Sequence, residues 1–419
     1  MSPISSHQHI VVIGAGIIGI QCALELQTRG FSVSVVDSKE PGTATSEGNA
    51  GCIAVAEIFP ISLPGLIWSV PKMLADPLGP LSIRWGYLPQ LSPWLWQFLL
   101  AGRRRPSEKI TGELAALLGH SWSDHQVVAK RTGTEYLFKH EGFLFAYHTE
   151  RGYKESAHEW SVRTQHGISY TRLTRNELLE LEPELNPGFF AGVHVPGVRH
   201  SINPKKLVQE LALEFKRNGG AILKANAKDF GFRDGRISQV FLDNGQTVET
   251  KGVVLAAGAW SGTISSKLGY KVPLDTERGY NTTIPSPAVS VTRPIFLVER
   301  SAVITPMEMG LRIGGAVELA GLKAPANFSR AKALLSHGKS ALPRLNLENG
   351  REWMGFRPSM PDSKPIISRS GHHPNVYFAF GHGHLGLTLA ATTARLIGDM
   401  SSTDLTPTEA IPFSIERFV

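Results

Sequence analysis

Residues 9–37, HIVVIGAGIIGIQCALELQTRGFSVSVVD, constrain the fold of this chain more than any other stretch. An apolar strand at about 9–13, a glycine turn, a helix to about residue 29 and a second strand at 31–36 make one βαβ unit. Gly14, Gly16 and Gly19 stand in G-x-G-x-x-G spacing. The first permits the tight turn, the second lets a phosphate approach the backbone, and the third lets helix and strand pack closely. The helix that begins near Ile17 then directs its positive end at a pyrophosphate. Asp37 closes the second strand, where its carboxylate can accept hydrogen bonds from ribose hydroxyls and would repel a 2′-phosphate. A dinucleotide site is expected here; an empty structural turn is the bland alternative.

A chain of 419 residues suggests two or three folding units at roughly 100–200 residues each. With 42% hydrophobic and 19% charged residues it can bury a large core, which excludes disordered and coiled-coil classes. The net charge of +7 comes from basic residues dispersed along the chain, so no nucleic-acid partner is expected. Cys22 and Cys52 are the only cysteines, which rules out a disulfide framework, and no cysteine-histidine spacing indicates a metal. The segment MSPISSHQH lacks a signal-type pattern and no run of about 18 apolar residues occurs, so a cytoplasmic location is expected.

The short βα repeats do not continue after residue 40. PGTATSEGNAG is followed by a Pro/Trp-rich stretch through SPWLWQFLL. Helical character is expected around 107–132, at 204–218 and at 325–341, a short helix followed by a turn at 176–185, and strands at 141–147 and several across 280–318. The apolar strand that ends in Ala257-Gly258 returns to the nucleotide-binding sheet, where a glycine allows close cofactor approach. These features predict an α/β, Rossmann-like cofactor unit from 1–56, 201–275 and 350–419. The intervening segments, 57–200 and 276–349, are left to a second, substrate or cap unit.

FAFGHGHLGLTLAATTARLIGDM forms a second glycine-rich element, read as strand 376–380, turn 381–386 and helix 387–399. It places Gly381, Gly383, Leu385, Gly386 and Thr388 at another helix entrance. Backbone donors there could stabilise electron density on a reduced flavin, so FAD is preferred to NAD. His382 and His384 are candidates for contact with flavin or substrate; their i,i+2 spacing is no metal signature.

VVIGAGIIG, ATSEGNAG, VVLAAGAWS, WMGFRPSMPDSKPII and FGHGHLGLT, spread over residues 11–388, together resemble the FAD-dependent D-amino-acid dehydrogenase/oxidase superfamily, especially small-subunit-like D-amino-acid dehydrogenases. The resemblance implies a discontinuous, Rossmann-like FAD domain joined to an α+β substrate domain built around a mixed sheet, at 57–200 and 276–349. It implies that Asp37 holds the adenosine ribose, that Ser46, Asn49, Ala50 and Gly51 line the route from pyrophosphate to flavin, and that Ala257, Gly258 and Trp260 pack by the nucleotide. Gly355 and the turn from Gly381 to Thr388 would surround the isoalloxazine. Ser46 and Asn49 could equally satisfy ordinary turns, and Trp260 could merely cover a sheet edge.

An amino-acid substrate needs an anion clamp, and arginine grips both carboxylate oxygens through parallel hydrogen bonds. Arg357 in GFRPSMPD and Arg278 in DTERGYN are the leading candidates, each with a structural ion pair as its alternative. Tyr280 could orient the carboxylate or simply pack; Arg312, His200 and Glu299 have weaker claims. The expected chemistry is oxidation of a D-amino acid, proline or hydroxyproline included, by hydride transfer from the α-carbon to flavin N5, giving an imino acid. Resemblance to dehydrogenases favours quinone or another external acceptor. Sarcosine- or glycine-oxidase-like use of oxygen, and a flavin-bearing subunit of an electron-transfer assembly, are the alternatives. Residues 59–101 and Arg103-Arg104-Arg105 read either as a lid with a core-facing helix or as a peripheral membrane contact.

Overall fold

The computed structural model describes residues 8–66, 70, 79, 81–403 and 405–419. Part of the 59–101 segment, at 67–69, 71–78 and 80, therefore lies outside the described residues, as does most of the MSPISSHQH segment.

The opening βαβ unit forms strand His9–Ile13, helix Ile17–Thr28 and strand Ser32–Asp37. Past His9 the first strand is apolar on both faces because it lies inside a six-stranded sheet ordered Ala221–Lys224, Ser32–Asp37, His9–Ile13, Gly252–Leu255, Val376–Phe380 and Ile366–Arg369. The first five run parallel and the last antiparallel. One face packs on the helices Ile17–Thr28, Pro204–Arg217 and Ala390–Ser402. The other packs under the three-stranded meander Ala227–Glu249, through Phe230, Ile237 and Val240. Asn203 starts the second of those helices by accepting a hydrogen bond from the Lys206 amide at 3.0 Å, with Pro204 in its first turn.

The second sheet is mixed and nine-stranded. Its path runs Arg351–Ser359, Asp275–Ile284, Gly310–Leu319, Ala302–Met307, Ile295–Leu297, Phe143–Tyr147, Ala191–Val195 and Thr171–Leu173, with Leu81–Ile83 pairing beside Gly310–Leu319. Helix Ser329–Ala341 covers one face, where Ala331 and Leu334 join Ile304 and Ile313.

Two features depart from the boundaries read in the sequence. The helical stretch at 107–132 is two helices, Arg104–Leu118 and Ser121–Thr132, broken at Gly119 and His120. Their apolar stripe of Ile110, Leu114, Leu118 and Ala129 joins the core around Ile20 and Leu396, so these helices pack on the cofactor side although they fall within the 57–200 cap segment. Strand Arg351–Ser359, expected in the returning cofactor segment, belongs instead to the mixed sheet. Helix propensity and alternation mark such elements but do not say which core they join.

The two sheets meet at the candidate site. The end of strand Arg351–Ser359 bridges to the glycine turn through Ser359 and His382. Trp94, on helix Leu88–Ala101, donates its indole hydrogen to the Ser359 carbonyl at 3.2 Å.

Candidate active site

A single cavity of ≈ 1170 Å³ runs from the first glycine turn to the second. It exceeds the roughly 300–1,000 Å³ of ordinary small-ligand sites, which leaves room for a long cofactor and a small substrate together. Among the sequence candidates, Gly14, Gly16, Ile17, Asp37, Ser46, Asn49, Ala50, Ala257, Gly258 and Trp260 line one arm. Gly355, Arg357, His382, Gly383, His384 and Gly386 line the other, together with Tyr280 and Arg312.

The nucleotide arm is built by close backbone approach. Gly14 has φ +112°, and a Cβ there would lie 2.3 Å from the Ala256 carbonyl oxygen. Above Gly16 the nearest atom to such a Cβ is Ser46 Oγ at 3.6 Å, so the helix start is open to the cavity. No side chain of Gly16 caps that helix; Ser46 Oγ accepts one hydrogen bond, from the Ile17 amide at 3.1 Å. Asp37, on the cavity wall, accepts the Ala15 amide on Oδ2 at 2.7 Å and the Lys39 amide on Oδ1 at 2.8 Å, which leaves each oxygen a further lone pair. Trp260 stands beside it, 5.7 Å from Lys39 Nζ and edge-on to Phe356. A glycine cradle, an open helix end and an acid at the ribose position fit the adenosine diphosphate half of FAD.

Other glycine-motif residues act from behind the wall. Gly19 packs against the backbone of Gly14, Gly51 (φ +81°) against the Ser201 carbonyl, and Gly381 (φ +79°) against Met360. Leu385 is buried in the core. Thr388 Oγ1 accepts the Ala54 amide at 3.0 Å and donates to the Cys52 carbonyl at 3.2 Å, tying the turn to the 52–54 segment. These five shape the cradle without facing the cavity.

The loop at 44–51 is held from the substrate sheet. Asn281 Nδ2 donates to the Gly48 carbonyl at 2.9 Å, Arg312 Nη1 to the carbonyls of Glu47 and Asn49 at 3.0 and 2.6 Å, and Thr45 to that of Phe356 at 2.9 Å. Asn49 Oδ1 accepts the Gly51 amide at 2.7 Å, so it also serves its own turn. Arg312 is thus a latch on this loop, and burial lowers its pKa to about 10.

At the far arm the candidates separate. Arg278 is fully buried and off the cavity wall: it donates to the carbonyls of Gly321, Ala324 and Pro325 and lies 3.6 Å from Glu318. Its assignment as a clamp is corrected to a structural one. Arg278→Ala is expected to destabilise the fold by about 3–5 kcal/mol, because Glu318 and the carbonyls stay buried without it; a denaturant titration checks this. The Tyr280 hydroxyl donates to Glu318 Oε2 at 2.5 Å and accepts the Asn327 amide at 3.0 Å, so it braces the same network. His382 is buried, with Nε2 2.9 Å from Thr393 Oγ1 and its pKa pushed down to about 3 by burial, which makes it an anchor for the turn. His200 is also buried and neutral, at about 4, and is not on the cavity wall. Glu299 instead accepts the His148 and Thr149 amides.

Arg357 differs from all of these. Its guanidinium has no hydrogen bond or ion pair among the described residues, yet burial lowers its pKa, against the opposing pull of Glu277. It lies flat over Gly279, whose Cβ would stand 2.4 Å from Cζ. Glu277 is the residue that sequence reasoning missed. It sits directly across from Arg357 in the strand pair, it is 5% exposed, and Ser359 Oγ donates to its Oε1 at 2.6 Å. His384 is exposed and lines the cavity; desolvation lowers its pKa, with Glu277 raising it and Arg357 lowering it. Among the described residues no group of three or more His, Cys, Asp or Glu could hold a metal ion.

The family profile described as FAD dependent oxidoreductase matches residues 9–400. The chain is 34% identical over 419 residues to a Bradyrhizobium diazoefficiens protein named D-amino-acid oxidase, covering 98% of this chain and 99% of that protein. It is 27% identical over 428 aligned positions to a D-amino acid dehydrogenase of the same organism, covering 98% of each. The solved glycine oxidase of Geobacillus kaustophilus superposes with a TM-score of 0.76 at 18% identity, over 98% of this chain and 100% of that one.

Proposed function

This chain belongs to the family of FAD-dependent oxidoreductases, and from that footing we propose that it oxidises D-amino acids, proline and hydroxyproline among them, at the carbon that bears nitrogen. The observation that carries this reading is the Arg357 guanidinium, without a hydrogen bond or ion pair among the described residues, on the cavity wall and on the strand that bridges to the second glycine turn. A half-buried arginine with no hydrogen-bonding protein partner suits a carboxylate-bearing ligand, which it holds through two parallel hydrogen bonds. Bound FAD would supply the acceptor for the hydride that leaves the α-carbon. The chain's own work is to place that carbon. Arg357 fixes the carboxylate, while Trp94, Leu95, Phe98 and Leu99 line an apolar wall that receives the side chain and keeps water away. The names of the two Bradyrhizobium relatives support the choice of a D-amino acid.

We assign a quinone or another external acceptor to the second half of the reaction. Trp85 and Trp96, 70% and 62% exposed, stand close in sequence to the exposed Arg103, Arg104 and Arg105, a composition suited to a membrane surface. Among the described residues no helix is long and apolar enough to cross a membrane. The relative named an oxidase supports oxygen as the second reading. Anaerobic addition of D- and L-amino acids, both proline and hydroxyproline enantiomers and sarcosine tests the proposal. D-selective loss of oxidised-flavin absorbance is the expected result; bleaching by sarcosine alone favours a small-amine oxidase, and no bleaching sinks amino-acid oxidation. Oxygen uptake during turnover separates the two acceptors.

A further inference from the structure

One face of the strand pair Asp275–Ile284 and Arg351–Ser359 is built for more than an anion. Along it the directly opposed pairs are Glu277 with Arg357, Gly279 with Gly355, and Asn281 with Trp353. Residues two apart on a strand share a face, and opposed side chains in an antiparallel pair start about 4.5–5.5 Å apart. The glycine pair removes side chains from the centre of this face. The Arg357 guanidinium lies over one of these glycines and the Trp353 ring over the other, since a Cβ on Gly355 would stand 1.9 Å from Trp353 Cη2. The result is a floor with a cation and a carboxylate at one end, and Glu277, Gly279, Gly355 and Arg357 all line the cavity.

The two charged groups are not used up by each other. Neither forms an ion pair within 4.0 Å among the described residues. Glu277 Oε1 is occupied by Ser359, whereas Oε2 has no hydrogen-bond partner among the described residues and is not among the fully enclosed orphan atoms. A carboxylate oxygen left in this way is costly unless something in the cavity donates to it. His384 also lines this wall, and desolvation lowers its pKa, which disfavours a competing positive charge there.

We propose that Glu277 receives the substrate's ammonium group, so that the site reads an α-amino acid as a zwitterion, with its carboxylate on Arg357 and its nitrogen on Glu277. This rests on the amino-acid reading above and deepens it. The two arms are held one strand apart, which suits charges borne on one carbon, and Ser359 keeps the Glu277 carboxylate turned so that Oε2 faces the ligand. Simple carboxylic acids satisfy only the arginine, and simple amines only the glutamate; an α-amino acid satisfies both.

Calorimetric titration of the FAD-loaded protein tests this without turnover. 2-Aminoisobutyrate carries both charges but no α-hydrogen, so it cannot be oxidised; isobutyrate lacks the nitrogen. The wild type is expected to prefer 2-aminoisobutyrate. Glu277→Gln, which keeps the shape and the bond from Ser359, is expected to reduce that preference about tenfold or more while binding isobutyrate at least as well. A Glu277→Gln protein with bound FAD and unchanged preference overturns the inference and leaves the amino-acid reading standing. If the amide disturbs the fold, Glu277→Asp serves: withdrawal of the charge should lower the preference, and an unchanged preference overturns the proposal. A wild type that binds neither acid overturns the amino-acid reading, and the inference with it.

Discussion

Replacing Arg357 by alanine is expected to lower kcat/KM for amino-acid substrates by about 10²- to 10⁴-fold while FAD stays bound. The magnitude follows from the loss of two charge-assisted hydrogen bonds to a desolvated carboxylate, each worth about 1.5–3 kcal/mol. The guanidinium makes no hydrogen bond to the described residues, so the fold loses little when it goes. Arg357→Ala should therefore unfold within a few degrees of the wild type, in contrast to Arg278→Ala. Steady-state kinetics beside a thermal melt separates the two arginines: a large melting drop for Arg357→Ala, or unimpaired kcat/KM, would show that the roles have been assigned wrongly. Arg357→Lys should recover only part of the loss, because an ammonium cannot grip both oxygens in one plane.

Gly19→Ala is expected to abolish FAD retention and to cost several kcal/mol of stability, the opposite of what helix propensity alone says. Within helix Ile17–Thr28 alanine should be favoured over glycine by about 1 kcal/mol. The methyl group, however, would stand 1.9 Å from the Gly14 carbonyl oxygen and 3.5 Å from Ala256 Cβ. The clash is with backbone, which cannot rotate aside as a flexible side chain can. Gly14 is itself pinned, with its amide bonded to the Val36 carbonyl at 2.9 Å, so relief requires the helix to lift off the sheet. That movement opens the phosphate turn. Flavin absorbance of the purified variant, with its melting temperature, reads both consequences; a yellow protein of wild-type stability would contradict this account.

The first βαβ unit was legible almost residue by residue, since strand, turn and helix each carry a local signal and the three glycines have no other common reason for that spacing. Helix Pro204–Arg217 and strand Val376–Phe380 also lie within a residue of the ranges 204–218 and 376–380 expected from the sequence. The choice of Arg278 and the omission of Glu277 share one physical cause. Neighbouring residues on a strand point to opposite faces, and nothing in DTERGYN says which face meets the cavity. Only the pairing of Glu277 with Arg357 settles that, and pairing is a tertiary fact. For the same reason the sequence could show that His382 and His384 alternate, but not that His382 is buried and fastened to Thr393 while His384 is exposed on the cavity wall.

The order of strands in the six-stranded sheet has a bearing on how the chain comes into being. Val11 lies beside Val253, and Val253 beside Val376, so the centre of the sheet joins segments made early, midway and late. At about 5–20 residues per second on the ribosome, the first strand waits many seconds for its neighbour, with an apolar edge unpaired. Pairings this distant in sequence are slow to form and leave the nascent chain open to misassembly. A message cut short before the codon for Val376 would yield a product with an open, fully apolar strand edge, a substrate for chaperones and proteases rather than a smaller enzyme.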